Sequence, residues 1–358
     1  MRTYGVARAL AAAGGGVTLL YARFGAEEPD AAFRAIPGIE LVEVVPSRGL
    51  RRLLAFIRAL ISGVPRDFAR GISPELARAA ARLAKEPGRG RVIADGPIAA
   101  AALAGLSRAR PVIYNAHNLE SGFRHELSGG AADHSRLLAF ERGLLERSSE
   151  SWLVSPAEID AARELSPGAR LRYVPNVVDV QAITPVADLS PERRALFVAS
   201  FSYEPNRNGL RFLLDEVLPL VWGELPDARL ALVGAGLEEP PSADPRVEAL
   251  GFVADLASAY RDARCALVPL LQGGGTPLKF IEALAYGLPV IATPLAAQGL
   301  EVSDGEECLI ADGPEAFAAA LVRVLTEGAP GIGRRGRELA ERRYSVEALA
   351  GVLRPELA

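Results

Sequence analysis

Twelve short runs of aliphatic and β-branched residues alternate with Ala/Leu/Arg-rich stretches of helical period along this 358-residue chain. A strand, a helix and a second strand in succession close a parallel pair through a crossover, so sustained alternation builds parallel sheets covered by helices. Strands are predicted at residues 17–21, 40–45, 91–94, 111–115, 152–154 and 171–174, and again at 195–199, 229–233, 247–250, 266–268, 289–292 and 308–310. Between the two sets lies a polar stretch, 179–194, whose Pro185 and Pro191 give it linker composition. The expectation is an α/β protein of two Rossmann-like domains. Their expected bounds are 1–179 and 180–344, with 345–358 forming a C-terminal helix that returns to the N-terminal domain. A chain of this length suits two domains better than one.

Composition narrows the function classes. Apolar residues make up 49% and charged residues 23%, as in an ordinary globular enzyme. A net charge of −4 gives no basic footprint for nucleic acid, which is not expected as a partner. Cys265 and Cys308 both sit in apolar runs and read as buried reduced thiols, which points to the cytoplasm. The longest apolar stretch, 97–106, falls far short of the ~20 residues that cross a bilayer. A run of Ala9-Leu10-Ala11-Ala12-Ala13 leads into a glycine triplet and a strand, where a secretory leader would carry its cleavage region.

The chemistry concentrates at Gln272-Gly273-Gly274-Gly275-Thr276-Pro277-Leu278-Lys279-Phe280-Ile281-Glu282, after an apolar strand and at the start of a helix. Glycines let backbone N–H groups approach an anion, Thr276 suits an N-cap, and Pro277 suits the first helical turn. Lys279 then falls in that first turn, where the helix dipole disfavours a cation unless an anion binds beside it. Lys279 and Lys85 are the only lysines among 40 basic residues. Glu282, three residues on, shares a face with Lys279 and is placed to accept hydrogen bonds from hydroxyls. Spacing alone leaves two readings open, an anion site or a glycine-rich turn with a surface Lys–Glu pair.

The run from Gly275 through Glu282 to Thr293 resembles the donor-site signature of group 1, family 4 glycosyltransferases of the GT-B fold. Further matches fall in family order: Val174-Pro175-Asn176-Val177-Val178-Asp179, Tyr203-Glu204-Pro205-Asn206, Leu232-Val233-Gly234-Ala235-Gly236 and Gly251-Phe252-Val253. The resemblance implies that Glu282 binds the donor ribose and that Lys279 and the amides of Gly275 and Thr276 hold the diphosphate, with Gly274 and Leu278 also donor-binding. It places the nucleobase near Gly251, Phe252 and Val253, and offers Arg207 as a further donor-binding residue. Gly274 stands where many members carry a glutamate against the transferred sugar, so sugar identity stays open. Gly234-Ala235-Gly236 is no dinucleotide fingerprint, because Glu239 occupies the third glycine position.

Sequence features outside that signature complete the expectation. The sequence holds no Asp-x-Asp, so no metal is expected, and helix dipole and basic groups would neutralise the leaving diphosphate. His117 follows a strand end and resembles the family's cleft histidine, which makes it, with Lys279, a candidate catalytic residue; its alternative is a hydrogen-bonded structural histidine. His125 and His134 lie eight and nine residues further on in turn, a spacing unlike zinc-ligand pairs. Ser155-Pro156-Ala157-Glu158 reads as a capping box with proline at the first helical position. Residues 47–70 carry six arginines and one aspartate around Leu50, Leu53, Leu54, Ile57, Leu60 and Ile61 at helical spacing. Such a helix rests on an anionic membrane at its inner face, or packs its apolar side on a sheet.

The expected function is retaining, metal-independent transfer of a sugar from a nucleoside diphosphate sugar, with no separate cofactor, to a glycan or lipid-linked acceptor in polysaccharide biosynthesis. The alternatives are a noncatalytic sugar-nucleotide-binding subunit and an epimerase of the same fold. The chain opens on a helical stretch, Thr3 to Leu10, where this family starts with an apolar strand and a glycine-rich turn. An N-terminal domain lacking its first strand is therefore expected, either because the natural start lies upstream or because this product is compromised.

Overall fold

The computed structural model describes residues 2–25, 31–88, 90–122, 131–237 and 240–354. They divide into two compact units, one running to Asn176 and taking in the residues from Leu349 onward, the other spanning Val177–Ala348. Both are built of parallel strands joined through helices, as the alternation of the sequence requires.

The first unit contains α1 (Arg2–Ala12), β1 (Val17–Ala22), α2 (Ala31–Arg34), β2 (Ile39–Val44), α3 (Leu50–Ile61), α4 (Arg66–Ala69), α5 (Pro74–Leu83), β3 (Val92–Asp95), α6 (Gly96–Ala102), β4 (Val112–Asn115), α7 (Ala131–Arg147), β5 (Glu150–Leu153), α8 (Pro156–Leu165) and β6 (Leu171–Tyr173). Its strands form two sheets, β1 with β2 and the run β3-β4-β5-β6. Among the described residues no strand pairs with the open edges of β1 and β3. Burial is deepest in the four-stranded sheet, where Val112, Tyr114, Leu144, Leu145 and Leu153 share a core with Phe68 and Phe140, stacked 5.4 Å apart.

Helix α3 departs from the packed alternative. Of its twelve residues only Ala59 is buried, while Leu50, Leu53, Leu54, Ile57, Leu60 and Ile61 are all exposed. The amphipathic pattern defined an apolar face but not what covers it, and among the described residues that face stays exposed.

In the second unit β7 (Arg194–Val198), α9 (Glu204–Arg211), α10 (Leu218–Glu224), β8 (Arg229–Val233), β9 (Val247–Gly251), α11 (Leu256–Arg261), β10 (Cys265–Val268), α12 (Leu278–Ala285), β11 (Val290–Ala292), α13 (Pro294–Ala297), β12 (Leu309–Ile310), α14 (Pro314–Glu327) and α15 (Pro330–Arg343) follow one another. The chain then enters α16 (Val346–Leu353), at which the second unit gives way to the first. Six parallel strands lie in the order β12-β11-β10-β7-β8-β9. Because the sheet is covered on both faces its strands are mostly apolar, and the exceptions on β7, β8 and β9, Arg194, Arg229 and Glu248, pair with one another. Leu196 points into a core with Phe280, Ile281 and Leu284, and Phe197 into another with Phe212, Leu213 and Phe317. A π-helical turn at Phe212–Val217 joins α9 to α10 just before Pro219, whose ring and missing N–H disturb an ordinary helical ladder.

The glycine pair after β8 serves packing. Gly234 has φ 136, and a Cβ there would lie 1.8 Å from the Ala199 carbonyl oxygen, so only glycine lets the ends of β7 and β8 approach. Gly234→Ala is therefore expected to lower stability by about 2–4 kcal/mol, through overpacking in a conformation that L residues avoid. Gly223 on α10 has nothing within 4 Å of its Cβ position. Its replacement by alanine is expected to stabilise by about 0.5–1 kcal/mol. Urea unfolding of both variants checks the opposite signs.

Candidate functional site

Strand order in the second unit reverses between β7 and β10, neighbours from which the chain proceeds in opposite directions across the sheet. The loops at the carboxyl ends of two such strands separate and leave a crevice, the usual ligand position in open α/β sheets. The segment after β10 carries Gly273, Gly274 and Gly275 into α12, and the segment after β7 leads into α9 with Asn206 and Arg207.

Helix α12 begins at Leu278, one residue later than Thr276 as an N-cap would require. Pro277 takes the cap position with ψ 113, outside the helix, and its carbonyl accepts the first helical bond from Phe280 at 2.9 Å. Thr276 is buried just before it. Gly273 and Gly275 adopt φ 125 and 74, so the loop does use the left-handed freedom of glycine.

Lys279 sits in the first turn of α12. Its ammonium donates to the Asn206 side-chain oxygen and lies 4.8 Å from the centre of the Phe197 ring. Neither neighbour carries a negative charge, and burial pushes the lysine down to about 7. A cation held against a helix N-terminus without a counter-charge is a site prepared for an anion. Asn206 is in turn fixed by donating to the Ser200 carbonyl at 2.8 Å. The sequence marked Asn206 within a motif but gave it no role, since its partner is 73 residues away.

One turn on, Glu282 accepts a hydrogen bond from the Tyr260 hydroxyl at 3.3 Å, and Tyr260 stacks on Tyr286 at 4.0 Å. Burial raises the Glu282 carboxyl above its ordinary range, against the Tyr260 bond that lowers it. Gly251 ends β9 with φ 64; beyond it Phe252 stands 82% exposed, and Val253 packs on the core. Arg207 is engaged elsewhere, donating to the carbonyls of Phe201 and Ser202 at 3.2 and 2.8 Å.

The first unit gathers a second cluster at the carboxyl ends of β3 and β4. His117 Nε2 lies 3.1 Å from Asp95 Oδ1, and the same carboxylate accepts from Thr3 Oγ1 and Asn115 Nδ2, both at 2.6 Å. Burial pushes Asp95 up, but the bonds from His117, Thr3 and Asn115 outweigh it and leave the carboxyl below its usual range. Arg2, buried at the start of α1, donates to Asn115 Oδ1, to the Val174 carbonyl at 2.9 Å and to Asn176 Oδ1 at 3.1 Å. Burial lowers its guanidinium to about 10. Neither Asp95 nor Arg2 was singled out by sequence, because only the folded sheet brings them to His117 and Asn115. His125 lies outside the described residues, and His134 sits on α7.

Two buried carboxylates hold the segment after His117. Glu141 accepts from the amides of Glu120 at 2.6 Å and Ser121 at 3.0 Å, while Glu158 accepts from Leu119 at 3.1 Å and Val154 at 3.4 Å. The expected capping box is accordingly half made. Ser155 Oγ accepts from the Glu158 amide at 3.1 Å, but the Glu158 side chain serves Leu119 and Val154 instead of returning to Ser155. Burial pushes Glu158 up to about 7.

Residues 192–327 match the family model of Glycosyl transferases group 1. That match lies within the Val177–Ala348 unit. A phosphatidyl-myo-inositol mannosyltransferase of Mycolicibacterium smegmatis is 30% identical over 209 residues, 54% of this chain and 53% of the relative. The chain thus spans about half the length of the curated relatives it matches. Solved structures extend the likeness in fold. A sucrose-phosphate synthase from Thermosynechococcus elongatus superposes with a TM-score of 0.72 at 22% identity, over 98% of this chain and 91% of the other. Anabaena HepE in complex with UDP and glucose gives 0.71 at 17% identity, over 99% and 94%. The fold is that of GT-B glycosyltransferases, with two Rossmann-like domains.

With Lys279 held down by burial, a pH dependence follows directly. Between about pH 7 and the usual 10.5 the unfolded chain binds a proton at Lys279 that the folded chain does not. The burial penalty of this lysine is therefore fully present below about pH 7 and fades as pH rises toward 10.5. A bound diphosphate favours the charged form, so above pH 7 binding takes up a proton. Calorimetric titration of a nucleoside diphosphate at pH 8 in two buffers of different ionisation enthalpy is expected to show that uptake, and Lys279→Met to remove it. Equal heats in both buffers with the wild-type chain would contradict this assignment.

Proposed function

We propose that the chain transfers a sugar from a nucleoside diphosphate sugar to an acceptor, with the donor held at Lys279 and Glu282. The observation that carries this reading is the uncompensated Lys279 ammonium in the first turn of α12, at the reversal point of the sheet. Lys279 and the first amides of α12 neutralise the diphosphate as it leaves, Glu282 accepts from the ribose hydroxyls, and the exposed Phe252 ring offers the nucleobase a stacking face. The solved relative with UDP and glucose supports a sugar-nucleotide donor.

No protein nucleophile stands beside Lys279 among its described contacts. Catalysis in this reading rests on stabilising the leaving group and orienting the acceptor hydroxyl, with retention of configuration. His117, held by Asp95, is assigned to a hydroxyl of donor or acceptor, its Nε2–H directed at the carboxylate and Nδ1 left as acceptor. Lys279→Ala and Glu282→Ala are each expected to weaken nucleoside diphosphate binding by about 1.5–3 kcal/mol, roughly ten- to a hundredfold. Unchanged affinity in both variants would refute the donor site. Transfer is expected to persist in EDTA, and loss with rescue by manganese would show that a metal holds the diphosphate. A noncatalytic sugar-nucleotide-binding subunit is the second reading. Gly274 favours it, standing exposed where the resemblance expects a glutamate against the sugar.

The acceptor is proposed to be lipid-linked and reached at the inner face of a membrane. Among the described residues no helix is long and apolar enough to cross a bilayer. Helix α3 instead presents its apolar row to solvent, flanked by Arg48, Arg51, Arg52 and Arg58. Such a helix lies in the interface, its leucines among acyl chains and its arginines at anionic headgroups. The mannosyltransferase relatives, named for phosphatidyl-myo-inositol, agree with that class of acceptor. Co-sedimentation with anionic vesicles is expected to weaken as salt rises and to be lost in Leu53→Glu/Ile57→Glu. Equal binding to neutral vesicles would count against it.

A further inference from the structure

A cavity of about 870 Å³ opens in the first unit between α3, α5, the end of α6 with the turn after it, and α7. That volume lies within the ~300–1,000 Å³ of small-molecule sites. Leu54, Ala59, Val64, Ile72, Ala101 and Phe140 give it an apolar lining. Arg51, Arg58, Arg78, Arg108 and Arg147 also line it, against a single carboxylate, Glu75. That carboxylate is committed, accepting from Ser47, from Ser73 Oγ at 3.1 Å and from Arg78 at 2.9 Å.

Four guanidinium groups from three elements thus surround an apolar hollow, and none of Arg51, Arg58, Arg108 and Arg147 has an ion-pair partner among the described residues. Arg147 is held below its usual value by burial first, against Glu146, with Arg108 adding repulsion. Like charges gathered at the rim of an apolar-lined hollow repel one another, and an anion among them relieves that repulsion. Helix α3 contributes to the hollow through Arg51, Leu54, Ala55, Arg58 and Ala59, and its exposed apolar row continues outward from there.

We infer that this cavity is a binding site for a single anionic phospholipid molecule, its phosphate among Arg51, Arg58, Arg108 and Arg147 and its apolar chain on the Leu54–Ile72–Phe140 lining. A free inorganic anion would use the arginines and leave the apolar lining wet, and a neutral lipid would leave the arginines uncompensated. An anionic amphiphile satisfies both. All of these residues belong to the first unit, whereas Lys279 and Glu282 belong to the second, so the inference stands independently of sugar transfer.

The test uses the full chain and dihexanoyl phosphatidic acid below its micelle concentration, titrated by calorimetry. Saturable binding of one molecule per chain is expected, at least tenfold tighter than dihexanoyl phosphatidylcholine or inorganic phosphate. Arg108→Glu/Arg147→Glu, at two exposed positions, is expected to weaken it at least tenfold with an unchanged urea midpoint. Arg163→Glu, exposed on α8 and outside the cavity, should leave it unaltered, and UDP should not displace it. Absence of saturable binding, equal affinity for phosphatidylcholine or for inorganic phosphate, equal loss in Arg163→Glu, or displacement by UDP would each overturn the site.

Discussion

The reversal of strand order between β7 and β10 is the constraint on which the surroundings of Lys279 depend. Two parallel neighbours whose connections leave in opposite directions cannot cover their own carboxyl ends, and a crevice results. The glycine-rich loop enters it from β10 and Asn206 from the start of α9, so Lys279 is met by a neutral amide and an aromatic face where a carboxylate would have cancelled its charge. Close packing enforces the arrangement. Gly234 lets the loop ends of β7 and β8 touch, and the aliphatic faces of β7, β8 and β10 bury both sides of the sheet.

The first unit solves a different problem, that of tying polar groups at strand ends to one another. Asp95 collects His117, Thr3 and Asn115, while Arg2 ties Asn115 to Val174 and Asn176. Glu141 and Glu158 hold the backbone that follows His117. A buried polar network in which each member answers another is rigid, because removing one leaves its neighbours desolvated and unmatched. That rigidity holds in place the Asp95 carboxylate that meets the His117 ring.

Helix α3 shows how one element takes on two surfaces. Its apolar row faces solvent, and its Arg51–Leu54–Arg58 side closes a basic, apolar-lined cavity. Ala59 is its one buried residue, so little of the helix is committed to the core.

The α/β class, the twelve strands and the glycine-rich loop that opens a helix after β10 were legible in the sequence, for a local reason. Strand and helix periods are written in consecutive residues, and Lys279 and Glu282 share one helix face, so their relation needs no tertiary information. The reach of that information ends where partners are distant in the chain. Asn206 meets Lys279 across 73 residues, and Arg2 meets Asn115 across 113. Glu158 looked like half of a capping box until a loop 39 residues earlier claimed its carboxylate. Likewise the pattern of α3 defined an apolar face and left its covering undecided, because burial belongs to whatever the rest of the chain brings alongside. Sequence determined which elements form and which side chains carry charge; tertiary structure alone decided which charges are answered, since compensation depends on distance in space and not along the chain.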